Sequence, residues 1–219
     1  MNTNSLVRWV LKPAVLVAGL VPFLLLLWGA WRNDLGANPL ETVTHASGEW
    51  SLRFLLLTLA MTPLKRILGH PWPLQLRRML GLFTFFYASL HFLIWLILGQ
   101  ELSWHNILSD VAERPFVTVG FLAWLLLLPL ALTSTRAAMR RLGRNWIRLH
   151  RLVYPAAVLG VLHFLWLVKA DLLEPLVYAA VLAALLLARL PLRRLLGQHE
   201  HARVDRQGLG ASFANRSRR

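Results

Sequence analysis

Long apolar stretches separated by short polar connections dominate the chain. Each stretch has the roughly 17–25 residues that a helix needs to cross a bilayer, and the six of them lie near 9–31, 46–64, 79–98, 116–135, 152–169 and 172–190. No connection is long enough for a soluble domain, and no internal repeat is apparent. The pattern predicts an all-α, polytopic bundle of six transmembrane helices over residues 1–194. Residues 195–219 are basic and rich in small polar residues, which predicts a disordered cytoplasmic tail.

The charged residues predict the orientation of these helices. Of the 24 lysines and arginines, 20 lie in the N-terminus, the second and fourth connections and the tail, whereas eight of the ten acidic residues lie on the other side. Positive residues mark the cytoplasmic side of a membrane protein, so both termini are expected to be cytoplasmic. The net charge of +14 is then explained by topology and by contacts with anionic lipids, and nucleic acid is not an expected partner.

The sequence excludes several kinds of metal site and catalytic motif. The chain has no cysteine, which excludes iron–sulfur clusters, thiolate metal sites and covalently attached c-type haem. P-loop, nucleophile-elbow and zinc-protease motifs are also absent from the sequence. Glu49 lies four residues before Arg53 at the predicted outer edge of the second helix, where the two are expected to form an ion pair.

Two histidines lie inside apolar stretches, where an imidazole is costly to bury without a partner. His91 lies in the third stretch and His163 in the fifth. Counted from the flanking polar residues at about 1.5 Å per residue, both fall in the outer half of the bilayer on helices that run in the same direction. The pair therefore favours a haem b held between two imidazoles. A purely structural role, with hydrogen bonds to a carbonyl group, Ser89 or Thr84, remains the alternative.

The residues around this pair include many aromatic side chains, which suit a large apolar macrocycle and are equally compatible with ordinary packing. They are Phe85, Phe86, Tyr87, Phe92, Trp95, Phe164 and Trp166. His150 lies thirteen residues before His163, at the cytoplasmic boundary. On an ideal helix this spacing points the two rings to different faces, although Pro155 can change the register. Arg77 and Arg78 occupy the corresponding level of the third stretch, so a second haem lacks an opposing imidazole.

Three segments give the chain a family resemblance: MTPLKRILG, RRMLGLFTFFYASLHF and NWIRLHRLVYPAAVLGVLHF. With their order and the six apolar stretches, the chain resembles the ferric-reductase-like transmembrane family, and in particular its bacterial members that act as haem-binding subunits of periplasmic methionine sulfoxide reductases. The resemblance implies an electron-transfer subunit of the bacterial inner membrane. It also implies a haem held by His91 and His163, and less firmly by His150.

The same resemblance implies further cofactors and partners. The expected electron donor is the quinone pool or a cytosolic flavin reductase, and the expected acceptor is a periplasmic molybdopterin subunit that repairs oxidised methionine. FMN is expected from the resemblance alone, with Arg77 and Arg78 as candidates to bind its phosphate or to contact the donor. The chain lacks the flavin and nicotinamide domain of the larger relatives. A ferric-chelate reductase and a small non-redox transporter remain the alternatives.

Overall fold

The computed structural model describes residues 3–168 and 172–189, and every regular element in these ranges is helical. The first helix, α1 (Thr3–Leu6), continues through a π-helical turn (Val7–Leu11) into α2 (Lys12–Trp31). The long helices that follow are α3 (Pro39–Leu68), α4 (Arg77–Ile94) with a π-helical end (Trp95–Gly99), and α6 (Pro115–Leu132), and between the last two lies the short α5 (Trp104–Glu113). The remaining elements are α7 (Arg136–Leu142), α8 (Arg144–Leu149), a 3₁₀ turn (His150–Leu152), α9 (Val153–Leu167) and α10 (Leu173–Leu187). All of these helices, except the last two residues of α10, belong to a compact unit that ends at Leu185.

Each predicted apolar stretch contains a helix, which confirms the all-α membrane class. Among the described residues, four helical segments are long and apolar enough to cross a membrane: Val7–Trp31, Arg77–Gly99, Pro115–Leu132 and Arg144–Leu167. The helix α10 is apolar but has only 15 residues, and α3 carries a polar first half. The count of six spans and the cytoplasmic termini therefore stay predictions. The predicted boundary at residue 194 and the tail 195–219 lie outside the described residues.

The helix α3 begins seven residues before its predicted start, because the preceding sequence provides a strong helix signal. The Asn38 side chain accepts a hydrogen bond from the backbone N–H of Glu41, and Pro39 occupies the first helical position. An asparagine cap followed by proline is a favoured helix N-terminus. Apolar periodicity alone misses this polar turn, and the early start places Glu49 well inside the helix. The helix ends at Gly69, whose positive φ of 68° forms a left-handed C-terminus.

A hydroxyl group joins α2 to α4 in the apolar core. Pro22 lies inside α2, where its ring disturbs the regular hydrogen bonds of the preceding turn. The fully buried Tyr87 hydroxyl donates to the carbonyl of Gly19 at 2.7 Å and accepts from the backbone N–H of Phe23 at 3.1 Å. It thereby satisfies two backbone groups that an uninterrupted helix would pair with each other. Phe83, one turn earlier on α4, fills the space beside Gly19.

We expect Tyr87→Phe to lower the free energy of unfolding by about 2 kcal/mol, because buried backbone groups that lose a partner cost about 1–3 kcal/mol each and partial closure of the helix recovers some of this. The measurement is unfolding of the purified full chain in detergent, followed by circular dichroism. Tyr178→Phe, which removes one hydrogen bond at a half-exposed site, should have a smaller effect. Equal stability of Tyr87→Phe and the unmodified chain would contradict this account of the α2–α4 contact.

Candidate cofactor site

His91 is held by a backbone group of the neighbouring helix. Its Nδ1 lies 2.9 Å from the carbonyl oxygen of Thr44, in the polar first half of α3. A carbonyl oxygen can only accept, so Nδ1–H is the donor and the neutral imidazole carries its lone pair on Nε2. Metal-binding histidines are commonly oriented in this way by a carbonyl or carboxylate on their other nitrogen. Ser89 and Thr84 do not bond His91, because Ser89 accepts from Trp124 and Thr84 donates to the carbonyl of Leu80.

His163 has the same arrangement in a second pair of helices. Its Nδ1 lies 2.7 Å from the carbonyl oxygen of Phe116, in the first turn of α6. The acceptor is again a carbonyl, so Nε2 of His163 also carries a lone pair. The centroids of the two imidazole rings lie 6.1 Å apart, with the ring planes at 81°. The expectation that the two histidines meet at one depth is therefore confirmed.

The ring separation suits one metal ion bound from both sides. Two imidazoles on opposite sides of a metal, each about 2 Å from it through a nitrogen, have centroids about 6 Å apart. Within the two described ranges, no three histidine, cysteine, aspartate or glutamate side chains are grouped as ligands for a metal ion. A metal held here by two imidazoles would need further ligands besides these side chains. The residues present fit a haem, which would bring such ligands itself.

Two glycines give the imidazoles their space. A Cβ atom on Gly48 of α3 would lie 3.1 Å from His91 Nδ1, and one on Gly120 of α6 would lie only 2.7 Å from His163 Nδ1. A larger residue at Gly120 would push the ring away from the carbonyl that orients it. Sequence reasoning missed both glycines, because an isolated glycine in an apolar helix has no distinctive pattern around it.

The same residue spacing occurs in both halves of the site. Thr44, Gly48 and His91 form one set, and each member has a counterpart 72 residues later, at Phe116, Gly120 and His163. In both sets the histidine follows its carbonyl partner by 47 residues. The same spacing therefore occurs in both halves of the site, although no internal repeat is apparent in the sequence. The residue types around these positions differ so much between the two sets that the sequence alone does not reveal it.

A cavity of about 300 Å³ opens beside the two imidazoles. This volume lies within the range of pockets that bind small molecules and cofactors. Of the seven aromatic residues expected around the pair, Phe92, Trp95 and Phe164 line it, whereas Tyr87 belongs to the α2–α4 contact and Trp166 is half exposed. Sequence reasoning missed three aromatic residues of α6 that also line the cavity: Phe116, Phe121 and Trp124.

The aromatic wall is itself fixed by packing and a hydrogen bond. The Trp124 indole stacks on Phe92 with centroids 4.7 Å apart, and its N–H donates to the Ser89 hydroxyl at 3.0 Å. The cavity lining also includes His45 and Glu49 of α3, Asp110 and Arg114. The cavity therefore combines a flat aromatic wall with charged side chains.

The expected ion pair between Glu49 and Arg53 is confirmed, at 2.7 Å. Because α3 begins before the predicted span, both residues lie inside this 30-residue helix. Arg53 also donates through Nε to the hydroxyl of Tyr178 at 3.0 Å and lies 4.9 Å above the Trp50 ring. These contacts give a charge within an apolar bundle the partners that it needs.

His150 lies apart from the other two histidines. Its Nδ1 donates to the carbonyl of Trp146 at 3.1 Å and its ring stacks on that indole at 3.8 Å, while Nε2 is buried with no hydrogen-bond partner among the described residues. The nearby charged group is Arg77. Among the described residues, the structure brings Arg77 close to His150. Arg78 lies beside Arg77 in the first turn of α4.

Comparison with known proteins identifies a matching family and several similar relatives. A family model described as "Ferric reductase like transmembrane component" matches residues 47–161, a range that includes His91 and His150 and ends two residues before His163. The "Protein-methionine-sulfoxide reductase heme-binding subunit MsrQ" of Xanthomonas euvesicatoria pv. vesicatoria (strain 85-10) is 51% identical over 181 residues, covering 80% of this chain and 83% of the relative. The protein of the same description from Rhodospirillum rubrum is 54% identical over 181 residues, covering 81% and 86%.

Proposed function

The chain belongs to the MsrQ family of ferric-reductase-like transmembrane proteins, and on this premise we propose that it transfers electrons across the membrane through a non-covalently bound haem b. The observation that carries the proposal is the pair of imidazoles 6.1 Å apart, each with its Nδ1 bonded to a backbone carbonyl. Both Nε2 atoms remain available for one iron. Bound haem would supply one-electron chemistry by cycling between its ferric and ferrous states.

His91 and His163 are the residues that would hold the haem iron. The carbonyls of Thr44 and Phe116 fix their tautomer and orientation, so little entropy remains to be lost when iron binds. Phe92 and Trp124 provide a flat apolar wall for a porphyrin. Residues of α3, α4, α6 and α9 line this cavity, and most of them are apolar.

We place electron entry on the cytoplasmic side. The proposed donor is the quinone pool or a cytosolic flavin reductase, because the chain has no nicotinamide-binding motif of its own. Arg77 and Arg78 are candidates to bind the phosphate of FMN, or an acidic surface of the donor, through charge-assisted hydrogen bonds. His150 and its unpaired Nε2 lie near Arg77 and belong to the same proposed entry region. His150 as ligand of a second haem stays a weaker prediction.

The proposed acceptor is the periplasmic molybdopterin subunit MsrP, in which the reduction of oxidised methionine takes place. The proposed location is accordingly the bacterial inner membrane, with residues 1–194 as the haem-binding domain and residues 195–219 as a cytoplasmic tail. The family name admits a second candidate, a reductase of external ferric chelates. The two differ in the acceptor, since the haem site is common to both.

The decisive experiment is the absorption spectrum of the purified full chain, expressed with added haem precursor. We expect a Soret band, a haem-to-protein ratio near one and split α and β bands of a low-spin haem after dithionite. The reduced protein should then be reoxidised by MsrP with methionine sulfoxide, and much more slowly by ferric citrate. A colourless protein would exclude the haem proposal, and rapid oxidation by ferric citrate alone would favour the second candidate.

A further inference from the structure

The mouth of the cavity carries one arginine with an unusual arrangement. Arg114 connects α5 to α6, and it is the only lysine or arginine among the described residues that line the cavity of His91 and His163. Its Nε lies 3.1 Å from Oδ1 of Asp110, and its side chain is 59% exposed. The two terminal nitrogens of the guanidinium group make no hydrogen bond to the described residues. The end of the side chain that recognises carboxylates is therefore available.

Asp110 is itself held in place, and this fixes Arg114. Its side chain is only 10% exposed, and its Oδ2 accepts from the indole N–H of Trp95 at 2.9 Å and from the amide of Gln100 at 3.1 Å. Both donors belong to the end of the α4 segment that also carries His91. An arginine fixed through Nε loses less side-chain entropy when its terminal nitrogens bind a ligand. Asp110 is in this sense a positioning residue for Arg114.

The two helices α3 and α6 also contribute different kinds of residue to the cavity lining. On α3, His45 and Glu49 line the cavity, whereas the residues 72 positions later on α6 are the apolar Val117 and Phe121. A porphyrin has two propionate groups at one edge and apolar substituents elsewhere. The charge of Glu49, which would repel a carboxylate, is matched by Arg53 at 2.7 Å. Among the described residues that line the cavity, Arg114 is thus the permanently positive one and suits a negative group.

We propose that Arg114, oriented by Asp110, binds a propionate of the haem at the mouth of the cavity and so directs the carboxylate edge of the haem towards α5. This inference rests on the proposed function, since it presumes haem between His91 and His163. The contact is a charge-assisted pair between a guanidinium and a carboxylate, with up to two parallel hydrogen bonds. It fixes the rotation of the haem about the axis between its two axial ligands.

The test compares haem with its dimethyl ester, in which both propionates are neutral. Membranes that contain the haem-free full chain, prepared from a host unable to make haem, are titrated with each compound and the reduced Soret band is recorded. The unmodified chain should bind haem about tenfold more tightly than the ester. Arg114→Gln should lose this preference while keeping its affinity for the ester and its low-spin spectrum. Arg114→Lys should restore part of the preference, and Asp110→Asn should weaken it.

Arg32→Gln is the matched control, because Arg32 is exposed after α2, contacts the Trp28 ring and does not line the cavity. It should keep the full preference for haem. A preference unchanged in Arg114→Gln would overturn the inference, and so would a preference lost in Arg53→Gln instead. If neither compound binds to any variant, the proposed haem function itself fails. If haem and ester bind equally to the unmodified chain, the function stands and only this inference is wrong.

Discussion

Replacing His91 or His163 by alanine is expected to reduce the haem-to-protein ratio at least about tenfold, because each variant leaves the iron with one protein ligand. Changes that only disturb the orientation of a metal-binding histidine already cost about 10–100-fold in affinity. Both rings have the same kind of Nδ1 hydrogen bond to a backbone carbonyl, so the two losses should be similar. The measurement is the Soret absorbance per protein, with the pyridine haemochrome for the ratio and electron paramagnetic resonance for the spin state.

His70→Ala provides a matched control, since His70 is exposed in the connection between α3 and α4. This variant should keep the ratio of the unmodified chain. His150→Ala addresses the number of haems: we expect it to retain the haem of the His91–His163 pair, because His150 bonds Trp146 and takes no part in that pair. Full low-spin haem in His91→Ala or in His163→Ala would contradict the assigned ligands.

The second large effect is expected from Gly120→Ala, a change of one methyl group. The new Cβ atom would lie 2.7 Å from Nδ1 and 2.9 Å from Cε1 of His163. The ring must then move away from α6, which breaks its 2.7 Å hydrogen bond to the Phe116 carbonyl. We expect the haem content to fall severalfold, and the remaining haem to show an altered low-spin signal, because the second-shell bond that orients the ligand is lost.

Substitutions of two other glycines provide comparisons for this result. Gly48→Ala, with contacts of 3.1 Å and 3.2 Å to the ring of His91, should cause a smaller loss of haem. In Gly81→Ala the new methyl group meets only the Thr58 methyl at an ordinary 3.7 Å, so its haem content should not change. All three changes raise helix propensity by a similar amount. Equal haem content in Gly120→Ala and Gly81→Ala would show that the close approach of α6 to His163 has no role in haem binding.

Much of the architecture is predictable from hydropathy, because transfer of an apolar helix into lipid is a local property of about 20 residues. Each of the six apolar stretches contains a helix, and the two buried histidines are conspicuous because few polar groups surround them. The start of α3 was predicted too late, at residue 46. The cap at Asn38 and Pro39 adds a polar turn to that helix, and a search for apolar residues does not register such a turn.

The other residues of the site cannot be recognised from sequence patterns. Thr44 and Phe116 contribute only their backbone carbonyls, which every residue possesses. Gly48 and Gly120 contribute the absence of a side chain, and Trp124 is one aromatic residue among many. The Tyr87 hydroxyl bonds two backbone groups 64 and 68 residues away, so nothing in its own neighbourhood indicates its role.

The sequence by itself determined the membrane class, the orientation expected from charge, and the two histidines that need a partner. These follow from partition free energies and electrostatics, which depend on composition over a short length of chain. Only the tertiary structure decided that the rings of His91 and His163 face each other at 6.1 Å, that their Nδ1 atoms are bonded, and that Arg114 lies at the same cavity. Such distances depend on how separate helices pack, and packing is a property of residues that are far apart in the sequence.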